Sequence, residues 1–240
     1  MLKPLFIFSL PRSGSTLLQR VLAADNQISS VAEPWLLLPF IYTLREKGIS
    51  AEYDHKWANF ALSEFFLELP NGKQDYLSAI RSTIRELYQK AAKNNDVRYF
   101  LDKTPRYSLV ANEIIDIFPD GKFIFLWRNP LAIIASIIET WGEGKWNILL
   151  YEVDLFNGMT SLVDTYEAHL GKVLAVQYES FLQFPEKELS RIAEYLEMEF
   201  DPDVLRNFSQ VRFKGKLADP TGTKNYREVL RLLLILLQMC

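Results

Sequence analysis

The sequence predicts a single α/β domain of 240 residues in which helices flank a central parallel β-sheet. Two observations predict this fold class. Short apolar runs typical of buried strands alternate with longer segments that carry apolar residues at helical spacing. Such alternation implies right-handed crossovers, which make the strands parallel and cover both faces of the sheet with helices. With 49% hydrophobic residues the chain can bury one core, and no repeat or linker divides residues 1–240.

The predicted elements follow in chain order. Strands are predicted at Leu5–Phe8, Arg98–Leu101, Phe123–Trp127 and Val173–Gln177. Helices are predicted at Gly14–Ala24, Gln74–Ala92, Ser108–Ile117, Leu131–Thr140, Trp146–His169 and Pro185–Leu196.

The turn after the first strand is the most informative motif. The sequence PRSGST at residues 11–16 can be compared with the phosphate loop G-x-x-x-x-G-K-[ST]. Gly14 and Thr16 hold their places, whereas Ser9 replaces the first glycine and Ser15 replaces the lysine. Backbone N–H groups of such a turn, and the helix that follows, still attract an anion. We interpret the fold as P-loop-NTPase-like with a degenerate phosphate-binding loop.

The positively charged residue in this turn is Arg12. Its planar guanidinium, with several hydrogen-bond donors, suits a single 5′-phosphoryl linkage better than a triphosphate. A second arginine, Arg128, comes directly after the strand that ends at Trp127. Ligands of open α/β sheets bind outside the carboxyl ends of the strands, so Arg12 and Arg128 are expected in one crevice. Ser136 follows on the next helix and suits a second phosphate. An ATPase would end this strand with an acidic residue that holds magnesium, so metal-dependent phosphoryl transfer is disfavoured.

These residues resemble the sulfotransferases that use 3′-phosphoadenosine 5′-phosphosulfate, over roughly residues 4 to 228. In that family the first motif binds the 5′-phosphosulfate, which implies that Arg12, Ser13, Gly14, Ser15 and Thr16 bind the nucleotide. The second motif binds the 3′-phosphate, which implies the same for Arg128 and Ser136. The segment from Val176 to Phe181 is similar to the part of the family near the adenine, which adds Tyr178. The segment Phe213-Lys214-Gly215-Lys216 is similar to the loop that closes over the nucleotide.

Sulfuryl transfer also needs a base that removes a proton from the acceptor. Glu33, in a loop before Pro34, is the candidate, and family members with a glutamate after this helix support it. Arg12 and Lys103 are the candidates for neutralising the charge that develops on the sulfuryl group and the leaving oxygen. The alternatives are an ordinary loop glutamate, a solvated strand-end lysine, and Arg106 as a contact for an acidic substrate. No metal is required.

Composition restricts the partners. A net charge of −3, with no Lys/Arg run longer than two residues, argues against broad nucleic-acid binding. The single cysteine, Cys240, excludes internal disulfides, and no signal peptide or transmembrane segment is found, so we expect a cytoplasmic protein. The apolar tail, residues 229–240, is too short to span a bilayer and is atypical of the family. It suggests truncation, a frameshift or a partner-binding helix, each of which could impair closure over the nucleotide.

Residues 35–70 are rich in aromatic side chains and lie where the family builds its acceptor pocket. A small-molecule or lipid-like acceptor is the expected partner, and core packing is the alternative explanation. The acceptor's identity and the oligomeric state stay open. Two other functions stay open as well. One is a nucleotide or small-molecule kinase with a degenerate phosphate loop, and the other is a nucleotide-binding protein that kept the fold and lost turnover.

Overall fold

A computed structural model describes residues 2–33, 37–42, 44–45, 55–94, 96–142, 144–211 and 213. Its strands are β1 (Lys3–Phe8), β2 (Ile28–Ser30), β3 (Tyr99–Asp102), β4 (Lys122–Trp127) and β5 (Leu174–Gln177). Its α-helices are α1 (Ser15–Leu22), α2 (Leu38–Tyr42), α3 (His55–Phe66), α4 (Lys73–Ala91), α5 (Ala111–Ile117), α6 (Pro130–Thr140), α7 (Gly158–Ala168), α8 (Tyr178–Gln183), α9 (Pro185–Leu196) and α10 (Val204–Asn207). Short 3₁₀ turns lie at Pro105–Leu109, Ile148–Tyr151 and Phe208–Gln210, and a π-helical turn lies at Val153–Asn157.

The five strands form one sheet in the order β2-β3-β1-β4-β5, and every pairing is parallel. The central strand is β1, which pairs Phe6 with Asp102 of β3 and Phe8 with Phe125 of β4. Because all strands run the same way, their carboxyl ends meet at one edge. The loops that follow the strands therefore share one crevice, where open α/β sheets bind their ligands.

Alternate residues of the strands pack into two core layers, one on each face of the sheet. On one face Phe6 stacks on Phe8 and on Phe123, with ring centroids 5.8 and 5.6 Å apart. On the other face Leu5 and Ile7 pack against α1 and α9. Full burial of one such side chain contributes about 1.5–3 kcal/mol, so these layers hold the strand ends rigidly in place.

The α/β fold class is confirmed, as are the four predicted strands. The predicted helix at Pro185–Leu196 has the predicted bounds. β2 was not predicted, because its sequence Ile-Ser-Ser carries a single apolar residue and gives no strand pattern. Its hydrogen bonds to β3 hold it in the sheet.

Two helix predictions were wrong in extent. The predicted helix over Trp146–His169 is divided into a 3₁₀ turn, a π-helical turn and α7. The predicted helix over Ser108–Ile117 begins only at Ala111, because the preceding turn is a separate 3₁₀ segment that ends at Leu109. Among the residues described, no helix is both long and apolar enough to cross a bilayer.

Candidate active site

The loop between β1 and α1 is shaped for the close approach of an anion. Gly14 has a φ of 85°, in the left-handed region, and α1 begins at the next residue. A Cβ atom on Gly14 would lie 2.0 Å from a ring carbon of Tyr178, so only glycine fits there. Arg12 also has a positive φ, 65°, which costs roughly 1–2 kcal/mol for a residue with a side chain. Two left-handed positions, separated by one residue, therefore shape the turn that faces the crevice.

Two hydroxyls of this loop have no hydrogen-bond partner in the structure. The Oγ atoms of Ser9 and Ser13 are both buried and unpaired. Buried polar groups are nearly always satisfied, so an unpaired pair beside a helix N-terminus fits a loop that receives an anionic ligand. Ser15 is buried and Thr16 is partly exposed, both in the first turn of α1.

Arg12, Arg128 and Ser136 lie together at the ends of β1 and β4. Nη1 of Arg128 donates to the carbonyl oxygen of Arg12 at 2.6 Å. Nε of Arg12 donates to Oγ of Ser136 at 3.2 Å. The Arg128 guanidinium also lies 4.7 Å from the ring centroid of Tyr178, in a cation–π contact. The structure thus brings two arginines, a serine hydroxyl and an aromatic ring to one point of the crevice.

A direct ion pair joins Glu33 and Lys103. Nζ of Lys103 donates to Oε1 of Glu33 at 2.6 Å. The Lys103 side chain is only 2% exposed, while the Glu33 side chain is 18% exposed. Lys103 follows β3 and Glu33 follows β2, so the neighbouring strands bring the two side chains together. Sequence reasoning assigned both residues to one reaction but did not foresee that they touch.

A buried amide holds the loop that carries Glu33. Nε2 of Gln19, on α1, donates to Oγ of Ser30 at 2.9 Å and to the carbonyl oxygen of Val31 at 2.7 Å. Ser30 in turn donates to the carbonyl oxygen of Leu101 at 2.7 Å. Gln19 is 1% exposed. The sequence signal for it is a polar residue inside the apolar run of α1, Leu17-Leu18-Gln19, which sequence reasoning passed over.

A second buried group that sequence reasoning missed is Asp102, the last residue of β3. Its Oδ2 accepts hydrogen bonds from the hydroxyls of Tyr88 at 2.6 Å and Tyr107 at 3.1 Å. Burial raises the pKa of Asp102 to about 7, although the two hydroxyls and the charge of Lys103 lower it. An acidic residue directly before the candidate lysine was the available signal.

A cavity of about 1100 Å³ opens beside the turn that follows Lys103. Tyr42 and Arg45 line it from the segment predicted to build an acceptor pocket, and Arg106 lines it from the turn. Nε of Arg106 pairs with Oδ1 of Asp154 at 2.8 Å. Burial raises the pKa of Asp154, and the neighbouring Arg106 opposes that shift. Arg106 is therefore already neutralised by a carboxylate of its own chain.

Part of the predicted site lies outside the described residues. The described residues do not include Lys214, Gly215 and Lys216, which were predicted to bind the nucleotide. They also do not include the apolar tail, residues 229–240. All of residues 46–54 in the predicted acceptor segment lie outside as well.

The site residues stand in a row along the carboxyl edge of the sheet. In the order of the strands they are Glu33, Lys103, Arg12, Arg128 and Tyr178. Three cations, two unpaired hydroxyls and a backbone turn fit a ligand with several phosphate or sulfate groups. Where a P-loop ATPase has its magnesium-binding acid, β4 ends at Trp127 and is followed by Arg128. The fold and the site define a P-loop-like protein with a loop that lacks the lysine.

Comparison with known proteins gives the family. The model of the sulfotransferase family matches residues 4–202, so the chain belongs to that family. Among curated proteins, the nodulation protein NoeE of Sinorhizobium fredii is 34% identical over 143 residues, which are 57% of this chain and 31% of NoeE. A putative protein-tyrosine sulfotransferase of Caenorhabditis briggsae is 26% identical over 90% of this chain and 72% of its own. The chain thus spans less than a third of NoeE.

Solved structures share the fold. The sulfotransferase domain of the Synechococcus PCC 7002 olefin synthase superimposes with a TM-score of 0.63 at 25% identity, covering 97% of this chain and 86% of its own. The sulfotransferase domain from the curacin biosynthetic pathway superimposes with a TM-score of 0.61 at 20% identity, covering 97% and 89%. The fold and the family predicted from the sequence are therefore confirmed.

Proposed function

We propose that the protein transfers a sulfuryl group from 3′-phosphoadenosine 5′-phosphosulfate to a hydroxyl or amine of a small-molecule acceptor. The observation that carries this proposal is the row of groups along the sheet edge. In this row the loop between β1 and α1, together with Arg12 and Arg128, lies next to the Glu33–Lys103 ion pair. An anion site alone would fit many nucleotide-binding proteins. A carboxylate beside it, held by a buried lysine, adds a group that can take a proton.

Each residue has a defined part in the proposed reaction. The Glu33 carboxylate takes the proton of the acceptor hydroxyl or amine as that atom forms its bond to sulfur. The bond between sulfur and the 5′-phosphate oxygen breaks, and adenosine 3′,5′-bisphosphate leaves. Arg12 and Lys103 stabilise the negative charge on the sulfuryl oxygens and on the leaving oxygen. The backbone of residues 13–16 positions the donor, and Arg128 with Ser136 binds its 3′-phosphate.

The ion pair implies that Lys103 changes partners during this reaction. In the structure its Nζ atom contacts Glu33, whereas the proposed role requires contact with the leaving oxygen. A lysine carries three donors on a flexible stem, so one ammonium can reach both groups. Release of the Glu33 carboxylate by Lys103 would make it available to the acceptor's proton.

The cavity beside Arg106 is the proposed acceptor site. Besides Tyr42 and Arg45 its lining combines apolar residues, among them Val153 and Phe156, with polar residues such as Thr160. This mixed lining suits an acceptor that has an apolar body and a hydrogen-bonding group. A cytoplasmic location stays a prediction.

Calorimetric titration without magnesium tests the donor assignment. Adenosine 3′,5′-bisphosphate should bind more tightly than adenosine 5′-monophosphate or ATP. Arg128→Ala should weaken bisphosphate binding by at least about tenfold, since a charge-assisted hydrogen bond contributes roughly 1.5–3 kcal/mol, and should leave the monophosphate nearly unchanged. Arg206→Ala, which removes the same charge from a side chain that is 85% exposed, is the control and should change neither affinity.

The other outcomes separate the remaining functions. Preference for ATP, especially with magnesium added, would support the kinase alternative. Tight bisphosphate binding without transfer to any phenol, sugar or amine in a screen would support a nucleotide-binding protein without turnover. Equal losses of both nucleotides in Arg128→Ala would contradict the 3′-phosphate assignment.

A further inference from the structure

The carboxylate of Asp102 is completely buried. It immediately precedes Lys103 in the chain, at the last position of β3. Two tyrosines donate to the same oxygen, Oδ2: Tyr88 from α4 and Tyr107 from the turn after β3. Thr104 approaches the other oxygen at 3.5 Å. A buried carboxylate is costly unless several donors satisfy it, and these residues supply them.

Tyr107 does more than satisfy the carboxylate. Its hydroxyl also accepts a hydrogen bond from the backbone N–H of Leu37 at 3.1 Å, and this contact is buried. Leu37 lies four residues after Glu33 in the chain. One tyrosine oxygen therefore connects the end of β3, which carries Lys103, with the segment that follows Glu33.

Tyr88 donates to Asp102 as Tyr107 does, but the Leu37 amide donates to Tyr107. The ring of Tyr88 stacks on Phe100 with centroids 4.4 Å apart, and its hydroxyl donates to Asp102. Burial raises the pKa of both tyrosines well above the usual value, so both hydroxyls keep the proton that they donate. Both tyrosines thus donate to the same oxygen of Asp102, and the Leu37 amide donates to Tyr107.

We propose that Asp102 and Tyr107 are positioning residues for the Glu33–Lys103 pair, a role that rests on the proposed function. Asp102 fixes the direction of the Tyr107 hydroxyl, and Tyr107 fixes the backbone at Leu37 relative to β3. The distance between the carboxylate and the ammonium of the pair is thereby set from both of its segments. A displacement of about 1 Å in such a pair can reduce turnover by roughly a hundredfold.

The matched variants Tyr107→Phe and Tyr88→Phe test the proposal. Each removes one buried hydroxyl from the same carboxylate oxygen, and Tyr107→Phe should cost more stability because it also leaves the buried Leu37 amide without this acceptor. Only Tyr107→Phe removes the acceptor of the Leu37 amide. We expect amide hydrogen exchange at Leu37 to accelerate about tenfold in Tyr107→Phe and to stay unchanged in Tyr88→Phe.

Lys103 supplies a second readout that needs no acceptor. Acetylation by N-hydroxysuccinimidyl acetate, followed by mass spectrometry, should be several-fold faster at Lys103 in Tyr107→Phe than in the wild type, because the buried pair is loosened. Tyr88→Phe should react like the wild type. Equal reactivity of Lys103 in both variants would overturn the proposal, as would unchanged exchange at Leu37.

Turnover is the third readout, with 3′-phosphoadenosine 5′-phosphosulfate as donor and 4-nitrophenol as probe acceptor. Tyr107→Phe should lower kcat by roughly tenfold to a hundredfold and leave the KM of the donor unchanged, while Tyr88→Phe keeps kcat within about twofold. Equal losses of kcat would contradict a positioning role. If the wild type transfers nothing to any acceptor, the proposed function fails, and the exchange and acetylation results alone decide on positioning.

Asp102→Asn covers the case in which Tyr107→Phe does not fold. The amide oxygen still accepts from both tyrosines, but at about pH 8, where the carboxyl of Asp102 is ionised, the bonds lose their charge assistance. Acetylation of Lys103 should then rise above the wild-type rate, and an unchanged rate would again overturn the proposal.

Discussion

At the scale of single residues, the site depends on an ion pair in which one partner is almost completely buried. The Lys103 side chain is 2% exposed, and its ammonium contacts the Glu33 carboxylate at 2.6 Å. Removing one charge of a buried pair leaves the other uncompensated, which typically costs 3–5 kcal/mol. Glutamine at position 33 would keep an oxygen that accepts from Lys103 while losing the ability to take a proton. It therefore separates the chemical role from the structural one.

Glu33→Gln should reduce sulfuryl transfer by roughly a hundredfold to ten-thousandfold, because the proposed general base is lost. The affinity for adenosine 3′,5′-bisphosphate should stay within about twofold of wild type, since the proposed phosphate contacts follow other strands. Turnover assays and calorimetry on the same preparation measure both. Glu197→Gln is the matched control, because Glu197 is also ion-paired, with Lys122 at 2.8 Å, and Lys122 begins β4 at the sheet edge opposite the site. Full turnover in Glu33→Gln would remove this residue from the role of base.

At the scale of elements, the junction of β1 with α1 is held by contact with a distant helix. Tyr178 begins α8, and its ring fills the space beside Gly14 that a Cβ atom would occupy. The same ring stacks on Arg128, which donates to the backbone of Arg12. The phosphate loop, the end of β4 and the start of α8 are therefore one packed unit, and a change at Gly14 should be transmitted to both arginines.

Gly14→Ala should weaken binding of adenosine 3′,5′-bisphosphate by at least about tenfold, because the new methyl group displaces Tyr178 and the stacked Arg128. Gly171→Ala separates this clash from the cost of the backbone conformation. Both glycines have a φ of 85°, but a Cβ atom on Gly171 meets nothing within 4 Å. The control should lose about 1 kcal/mol of stability in urea unfolding and no nucleotide affinity. Equal affinities for the two variants would show that the Tyr178 contact does not shape the site.

At the scale of the whole molecule, the sequence was sufficient for four of the five described strands and for the residues that follow them. Phe6, Phe8, Phe123 and Phe125 are part of apolar runs that only buried strands explain, and the residues after such strands must meet at one edge. Arg12, Lys103 and Arg128 were located in this way. What the pattern could not provide were contacts between segments far apart in the chain, such as Glu33 with Lys103 and Tyr107 with Leu37.

The missed features share a physical reason. β2 and Gln19 are polar in sequence and buried only because partners from other elements satisfy them. The same holds for Asp102. In the sequence it is an ordinary acidic residue at the end of a strand, and only the fold shows that Tyr88 of α4 donates to it. Hydrophobic periodicity detects residues that avoid water by themselves, and it cannot detect polar residues whose burial depends on tertiary partners.

Asp102 also gives the whole molecule a characteristic dependence of stability on pH. Burial raises its pKa from 3.8 to about 7 in the folded protein, so between these values the folded chain holds a proton that the unfolded chain has released. The stability contributed by this proton is complete below about pH 4 and is lost as the pH rises through about 7. One pKa unit corresponds to about 1.4 kcal/mol, so the whole effect is on the order of a few kcal/mol.

Urea unfolding of the wild type and of Asp102→Asn, at intervals from about pH 4 to about pH 8, tests this expectation. Asparagine cannot titrate, so the stability of the wild type should fall relative to that of the variant as the pH rises. Groups such as Asp154, whose pKa is also raised by burial, are present in both proteins and cancel in the difference.

Asp75→Asn is the control of opposite sign, because hydrogen bonds from Asn71 lower the pKa of the exposed Asp75. Its difference from wild type should be constant over this range and shrink only at lower pH. Parallel curves for the wild type and Asp102→Asn would mean that the buried carboxyl does not titrate near neutrality, and that its charge is stabilised by Tyr88, Tyr107 and Lys103 throughout.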